Sequence, residues 1–141
     1  MKVKMHDLNM ILEGTDALYH EASKKLGLSD AQMCILYNIY EHGDGCPQKE
    51  LYKSTGISKS TINSAIKNME REGYVALKAI DGRSTGIYVT QKGHNLMADT
   101  VEKLIEIENR VFDSWSEEER KLIVKLNRDF MDKFAQLVKE L

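Results

Sequence analysis

The residues best suited to chemistry lie on one face of the segment that follows Ser58. Apolar residues recur there at three- and four-residue spacing, which predicts a helix with an inward stripe of Ile62, Ala65, Ile66 and Met69. The outer face carries hydroxyl and amide side chains (Ser60, Thr61, Asn63 and Ser64) and basic ones (Lys59, Lys67 and Arg71). Hydroxyls and amides can contact base edges, whereas basic groups and a helix N-terminus bind phosphates. The sequence therefore predicts a DNA-reading helix in which the first group contacts bases and the second contacts phosphates.

A second set of candidates lies in the loop 81–85. This loop joins two short segments rich in β-forming residues, 74–80 and 86–89, and so predicts a hairpin. Arg83 stands among small residues, a composition suited to the minor groove, where negative potential is enhanced when the groove is narrow. We predict that Arg83 enters the minor groove and that Ser84 and Thr85 add backbone contacts.

Basic residues are concentrated in the segment that contains both sets of candidates. Residues 47–92 contain eight basic and four acidic side chains, whereas the remainder contains twelve basic and eighteen acidic ones, for a net charge of −2. A local positive field favours phosphate binding, and the acidic remainder does not prevent DNA from approaching one face.

The elements that position these residues predict a winged helix. Pro47 suits a first helical turn, and a short helix carrying Leu51 and Tyr52 should run until Gly56 stops it. The turn 55–58 is short enough to join two steeply crossing helices, with Ser58 as the N-cap of the second. A helix-turn-helix followed directly by a hairpin is a winged helix.

Long amphipathic helices flank this part. One should run from about residue 5 to 26, and Ser29 with Gln32 forms a capping box for the next, which ends near Gly43. Thr90 should cap a helix from Gln91 to Asp113, and Ser116 with Glu119 is a second capping box for the last one. The fold class predicted is mainly α with a small β-wing.

Composition and motifs exclude several other classes. The 141 residues, 42% hydrophobic and 30% charged, fit one folded domain. No apolar run approaches the ~18 residues that span a bilayer, and no secretory signal is evident, so we expect a cytoplasmic protein without membrane contact. Without HExxH, GxSxG or a phosphate-cradling glycine loop, the sequence does not indicate an enzyme or a cofactor.

These motifs resemble those of the MarR family of winged-helix transcription regulators. Asp81-Gly82-Arg83, with Val89-Thr90 and Gly93, is similar to the family's wing pattern, and the run 69–74 is similar to the end of its recognition helix. The resemblance covers the single chain 1–141, with a winged-helix part at 29–92. It implies that residues 1–28 and 93–141 are dimerisation helices. Gly82 departs from the pattern, because a second arginine usually stands there, so wing contacts should be weaker.

The resemblance implies a mechanism as well as a fold. A homodimer would present two reading helices and two wings to a pseudo-palindromic operator, with half-sites about one helical turn apart. It would act as a regulator, in our interpretation a repressor, released from double-stranded DNA by a small aromatic or anionic effector.

Three switches stay open at this stage. A phenolic ligand could be lined by Tyr19, Met33, Tyr37 and Tyr40, although aromatic residues at helical spacing are more often core. Cys46, at the expected N-cap of the third helix, would serve a redox switch if it were exposed with a lowered thiol pKa. The four histidines show no close pair, so no metal site is predicted.

A different class of function also stays open. The winged helix could bind protein alone, in which case no salt-sensitive affinity for DNA is expected.

Overall fold

Helices make up most of the computed structural model, which describes residues 1–53 and 56–141. The α-helices are α1 (Met5–Lys25), α2 (Asp30–His42), α3 (Lys59–Arg71), α4 (Gln91–Asp99), α5 (Val101–Asp113) and α6 (Glu117–Val138). A 3₁₀ helix (Gln48–Tyr52) and the strands β1 (Cys46–Pro47), β2 (Val75–Ala79) and β3 (Thr85–Val89) complete the described elements. The predicted class, mainly α with a small β-wing and with helices on both sides of the winged helix, is confirmed.

Side-chain caps fix where several helices begin. The predicted box at Ser29 is present: Ser29 Oγ accepts from Gln32 N at 3.1 Å, and Gln32 Oε1 accepts from Ser29 N at 2.9 Å. The same reciprocal pair joins Ser116 and Glu119. Each cap satisfies a backbone N–H that the first helical turn leaves unpaired.

The strands form one antiparallel sheet in the order β1-β3-β2. Val75 pairs with Val89 and Ala79 with Thr85, so β2 and β3 form the predicted hairpin. β1, which the sequence analysis did not predict, pairs Cys46 with Ile87. A two-residue strand is too short for its alternation to be read from sequence.

A core lies between the helices and the sheet of the winged-helix part. Its most deeply buried side chains come from α2, the 3₁₀ helix, α3, the sheet and the start of α5: Ile35, Leu36, Ile39, Leu51, Ile62, Ile66, Met69, Ile87 and Val101. Apolar burial of this kind is the main force that holds such elements together.

The short helix that the sequence predicts after Pro47 differs from the prediction. It is a 3₁₀ turn that ends at Tyr52, so the expectation that it continues to Gly56 was wrong. Pro47 does lie at its N-cap, and Leu51 is buried as an apolar anchor. Of the predicted turn 55–58, Thr55 lies outside the described residues, while Ser58 caps α3 as expected.

The predicted helix from Gln91 to Asp113 is two helices. Thr100 interrupts it, with φ −130° and ψ −88°, values outside the helical region. The buried Thr100 hydroxyl donates to the carbonyl oxygen of Leu96 at 2.6 Å. The apolar periodicity that predicted one helix continues across the break, so the pattern could not reveal it.

Two compact units make up the chain, residues 1–104 and 105–141. The second unit contains the end of α5 and all of α6, where Phe112 and Trp115 rings lie 5.6 Å apart. No residue of α6 is buried. Over residues 1–53 and 56–141, no helix combines the length and the hydropathy needed to cross a bilayer.

Candidate nucleic-acid interface

α3 separates an apolar face from a polar one, as the sequence predicts. Ile62, Ala65, Ile66 and Met69 are buried in the winged-helix core. The predicted contact residues share the other side, where Lys59, Ser60, Thr61, Ser64, Lys67 and Arg71 are exposed and Asn63 is half-buried. The core face therefore fixes the helix so that its polar face meets solvent.

Hydroxyl groups cluster at the N-terminus of α3. Ser58 Oγ accepts from Thr61 N at 3.2 Å and lies 2.8 Å from Thr61 Oγ1 and 3.3 Å from Ser60 Oγ. Thr61 therefore takes part in the cap, and its hydroxyl is less available to a base than we predicted. Ser60 and Ser64 are the more accessible hydroxyls along this face.

Asn63 belongs to a polar cluster that joins α3 to the 3₁₀ helix. Gln48 Nε2 donates to Asn63 Oδ1 and to Tyr52 OH, both at 3.0 Å, and Tyr52 OH donates to the same Oδ1. Lys59 Nζ lies 5.0 Å from the centre of the Tyr52 ring. Sequence reasoning missed Gln48 and Tyr52, because contacts across 11 and 15 residues depend on how the intervening turn closes.

Arg71, the last predicted phosphate-contacting residue of α3, also has an internal partner. Its guanidinium donates to Asn68 Oδ1 one turn earlier. Because a guanidinium has five N–H donors, this bond leaves others for a phosphate. Lys67 is exposed and extends the same polar face, three residues after Ser64.

The wing tip is shaped by Asp81. Its Oδ1 accepts from the backbone N–H groups of Arg83 and Ser84, each at 2.8 Å, while Ile80 N donates to Ser84 O at 2.9 Å. The two backbone bonds lower the pKa of the Asp81 carboxyl. The turn leaves Arg83 exposed, whereas Ser84 and Thr85 are half-buried and Thr85 belongs to β3.

A brace joins the end of α3 to α4. Thr90 Oγ1 donates to the carbonyl oxygens of Gly73 and Tyr74 at 2.6 and 3.0 Å, and Lys92 Nζ donates to Glu72 O at 2.7 Å. Lys92 also lies over the Tyr74 ring, 4.6 Å from its centre. One of the eight basic residues of this region therefore supports the helix end instead of standing free for phosphate.

The four tyrosine and methionine candidates for a ligand cleft differ in accessibility. Met33 is buried in the core and Tyr37 is half-buried, whereas Tyr19 and Tyr40 are exposed. Tyr19 lies on α1, and Tyr37 and Tyr40 lie on α2. Met33 therefore serves packing, and only the tyrosines are reachable from solvent.

The premise of the redox prediction was wrong. Cys46 is 1% exposed, because it lies in β1 against β3, and Pro47 takes the N-cap position instead. Burial, together with the Glu50 carboxylate, raises the pKa of the Cys46 thiol. Burial also raises the pKa of Cys34. Both shifts are opposite to the lowered thiol pKa that a redox sensor needs.

Metal ligands do not cluster in the part of the chain that the structure describes. No three histidine, cysteine, aspartate or glutamate side chains there come together as a metal-binding group. His20 Nδ1 instead lies 2.8 Å from Asp30 Oδ2, which links α1 to α2.

A three-stranded antiparallel sheet, a capped polar-faced helix and an arginine-tipped wing define the winged-helix class of proteins. The model of the MarR family matches residues 26–83. The uncharacterized HTH-type transcriptional regulator YwhA of Bacillus subtilis is 25% identical over 123 residues, which are 86% of this chain and 87% of that protein. The HTH-type transcriptional repressor YetL of B. subtilis is 24% identical over 112 residues, which are 77% of this chain and 67% of that protein.

A solved structure shares the fold of this chain. A MarR-family regulator from Listeria monocytogenes, crystallised with a 26mer DNA, superposes with a TM-score of 0.68 at 23% identity. The match covers 99% of this chain and 96% of that one. Residues 26–83 thus resemble the MarR family of transcriptional regulators, and the chain has the winged-helix fold of the solved members of that family.

Proposed function

We propose that this protein is a homodimeric transcriptional repressor that binds a pseudo-palindromic DNA operator and is released by a small aromatic or anionic effector. α3 enters the major groove, and the wing enters the adjacent minor groove. Ser60, Asn63 and Ser64 contact bases, with a smaller part for Thr61. Lys59, Lys67, Arg71 and Arg83 supply the charge, and the backbone at Ser84 and Thr85 adds contacts to the sugar-phosphate chain.

The observation that carries the proposal is that the fold exposes both the polar side of α3 and Arg83 at the wing tip. The apolar side of α3 is buried, so its polar side faces outward, and the Asp81 turn leaves Arg83 exposed at the wing tip. The DNA complex of the Listeria relative and the name of the repressor YetL support the same interpretation.

Exposed apolar side chains on the terminal helices support the dimer. Leu8, Ile11, Leu12 and Leu18 are exposed on α1, and Leu122, Leu126, Phe130, Phe134 and Leu137 are exposed on α6. Exposed apolar side chains that recur along a helix are typical of protein-protein interfaces. A second copy of the chain is the partner we propose, since two-fold symmetry would supply the two reading heads of a palindrome.

Binding to DNA should depend steeply on salt. If each subunit neutralises about four phosphates, the logarithm of the binding constant should fall against the logarithm of salt concentration with a slope of about −7. Titration of a labelled duplex from upstream of the protein's own gene, by fluorescence anisotropy at several salt concentrations, measures this slope.

Two variants test the site itself. Arg83→Ala should weaken binding about tenfold and make the salt slope of the dimer shallower by about two. Lys103→Ala, which removes an exposed lysine of α5 outside the proposed interface, should leave both unchanged. A wild-type protein that ignored all such duplexes at low salt would support a winged helix that binds only protein, and the proposal would fail.

The effector should contact the tyrosines that solvent can reach, Tyr19 and Tyr40 above all. Phenolic acids that bind the folded protein should raise its melting temperature, and the rise should grow with the logarithm of ligand concentration once the site is saturated. Tyr19→Ala and Tyr40→Ala should reduce that rise. A rise that neither substitution reduces would place the effector elsewhere on the protein.

A further inference from the structure

The cluster around Asn63 constrains how that side chain can read a base. An asparagine amide normally recognises adenine with two bonds: Oδ1 accepts from the N6 amino group and Nδ2 donates to N7. Both of its groups must therefore be free. In this chain Oδ1 already accepts from Gln48 Nε2 and Tyr52 OH, which together occupy the two lone pairs of a carbonyl oxygen.

The amide nitrogen of Asn63 is left for DNA. No hydrogen bond within the described residues uses Nδ2, and Arg120 Nε is the one buried side-chain nitrogen or oxygen among them that lacks a partner. Solvent therefore reaches Nδ2. Its two N–H groups match guanine, which presents the two acceptors N7 and O6 in the major groove, better than adenine, which presents one acceptor and one donor.

The cluster is itself held in place. Gln48 spends one hydrogen on Tyr52 OH and the other on Asn63 Oδ1, so all three side chains close a triangle. Lys59 Nζ lies over the Tyr52 ring at 5.0 Å from its centre, and a cation over an aromatic face is attracted to it. A buried neighbour, Leu51, anchors the 3₁₀ helix that carries Gln48 and Tyr52.

We propose that Gln48 and Tyr52 are specificity-determining positioning residues, which hold Asn63 as a donor-only reader and direct it to guanine instead of adenine. This inference rests on the proposed function, since it requires α3 to contact base edges. Neither Gln48 nor Tyr52 needs to touch DNA, because each acts through the lone pairs of one oxygen atom.

The test is selection of binding sites from a randomised duplex library. The wild-type protein is selected first, and Asn63→Ala then identifies the operator position whose base preference disappears. We expect the wild type to prefer guanine over adenine there. Tyr52→Phe and Gln48→Met each free one lone pair of Oδ1, so both should raise the adenine-to-guanine ratio at that position about tenfold, the effect of restoring a bidentate contact.

Tyr74→Phe is the matched control. Tyr74 also lies under a lysine, Lys92, but it makes no hydrogen bond to Asn63 and lies between α3 and β2. This substitution should leave the base preference unchanged. Thermal unfolding of all the variants checks that each one is folded.

Two results would overturn the inference while the proposed function stands. The wild type could already prefer adenine at the position that Asn63→Ala identifies. Alternatively, Tyr52→Phe and Gln48→Met could weaken all sites equally, which would show support of the helix without control of base choice. Failure of the wild type to select any duplex would overturn the proposed function and this inference with it.

Discussion

The winged-helix part buries its apolar side chains, whereas the terminal helices leave theirs exposed. Ile66 on α3 is 1% exposed, whereas Phe134 on α6 is 57% exposed. Both helices are amphipathic with apolar residues at helical spacing. The difference is that α3 packs on other elements of the same chain, whereas no residue of α6 is buried and only Ser23 is buried on α1.

This contrast separates two kinds of stability. The winged-helix part has its own core, so burial of the apolar side of α3 stabilises the fold while its polar side stays exposed. The terminal helices carry apolar surface that the single chain leaves in water, which costs about 25 cal/mol for each Å² that a partner could cover. Substitutions that disturb packing in the winged-helix part should change the free energy of unfolding. Substitutions on the apolar faces of the terminal helices should change dimerisation.

The largest effect should come from Gly93→Ala in the winged-helix part. A methyl group there would overlap the carbonyl oxygen of Tyr74 and stand 2.7 Å from Val89 Cγ1, so α4 would have to move away from the hairpin. Overpacking of this kind should lower the free energy of unfolding by about 3 kcal/mol. Urea unfolding followed by circular dichroism measures the change, and an unfolding free energy equal to that of the wild type would contradict the close approach.

A smaller effect is expected from Phe134→Glu on α6. A charge on an apolar face that a second copy covers should weaken dimerisation by about 2 kcal/mol, as loss of a central interface residue does. Sedimentation velocity over a range of protein concentrations should then show monomer.

Lys133→Glu is its control, because it introduces the same residue at the next position and breaks only the surface pair with Asp129. The dimer should persist in this variant. If Phe134→Glu also sedimented like the wild type, α6 would not be the interface, and the contrast between the two regions would need another explanation.

Gly14→Ala should produce a still smaller change, of the opposite sign. Gly14 lies inside α1, and a methyl group there meets nothing within 4 Å. The loss of unfolded-state freedom should stabilise the protein by about 0.5–1 kcal/mol. A rise in the melting temperature at unchanged dimer affinity supports a solvated position, whereas a loss of dimer would place the partner's surface against Gly14.

The smallest effect concerns Asp81 at the wing tip. Backbone N–H groups lower the pKa of its carboxyl in the folded protein, so the stability it adds is present above the unfolded pKa, about 3.9, and is lost as pH falls through the folded value. Asp81→Asn should therefore differ from the wild type at neutral pH and converge with it in acid. Amide resonances of Arg83 and Ser84 followed by NMR during acidification measure the transition, and a carboxyl that titrates as it does in an unstructured wing peptide would contradict the turn.

Much of the fold could be predicted because the signals were local. The capping boxes at Ser29 and Ser116, the inward stripe of α3 and the hairpin between β2 and β3 all depend on residues a few positions apart. The errors arose where neighbours distant in sequence decide. β1 exists because β3 pairs with it, and Cys46 is buried by the same sheet. The break at Thr100 was missed for another reason, because the apolar periodicity continues across it.

The candidate site divides along the same line. Residue types and periodicity alone determined which face of α3 carries hydroxyl, amide and basic groups, and that Arg83 stands at a wing tip, because a helix and a hairpin place side chains by fixed repeats. Only the tertiary structure decided which of those groups are already engaged. Asn63 bonds to Gln48 and Tyr52, and Lys92 bonds to Glu72, since hydrogen bonds between elements depend on how the chain packs and not on how it repeats.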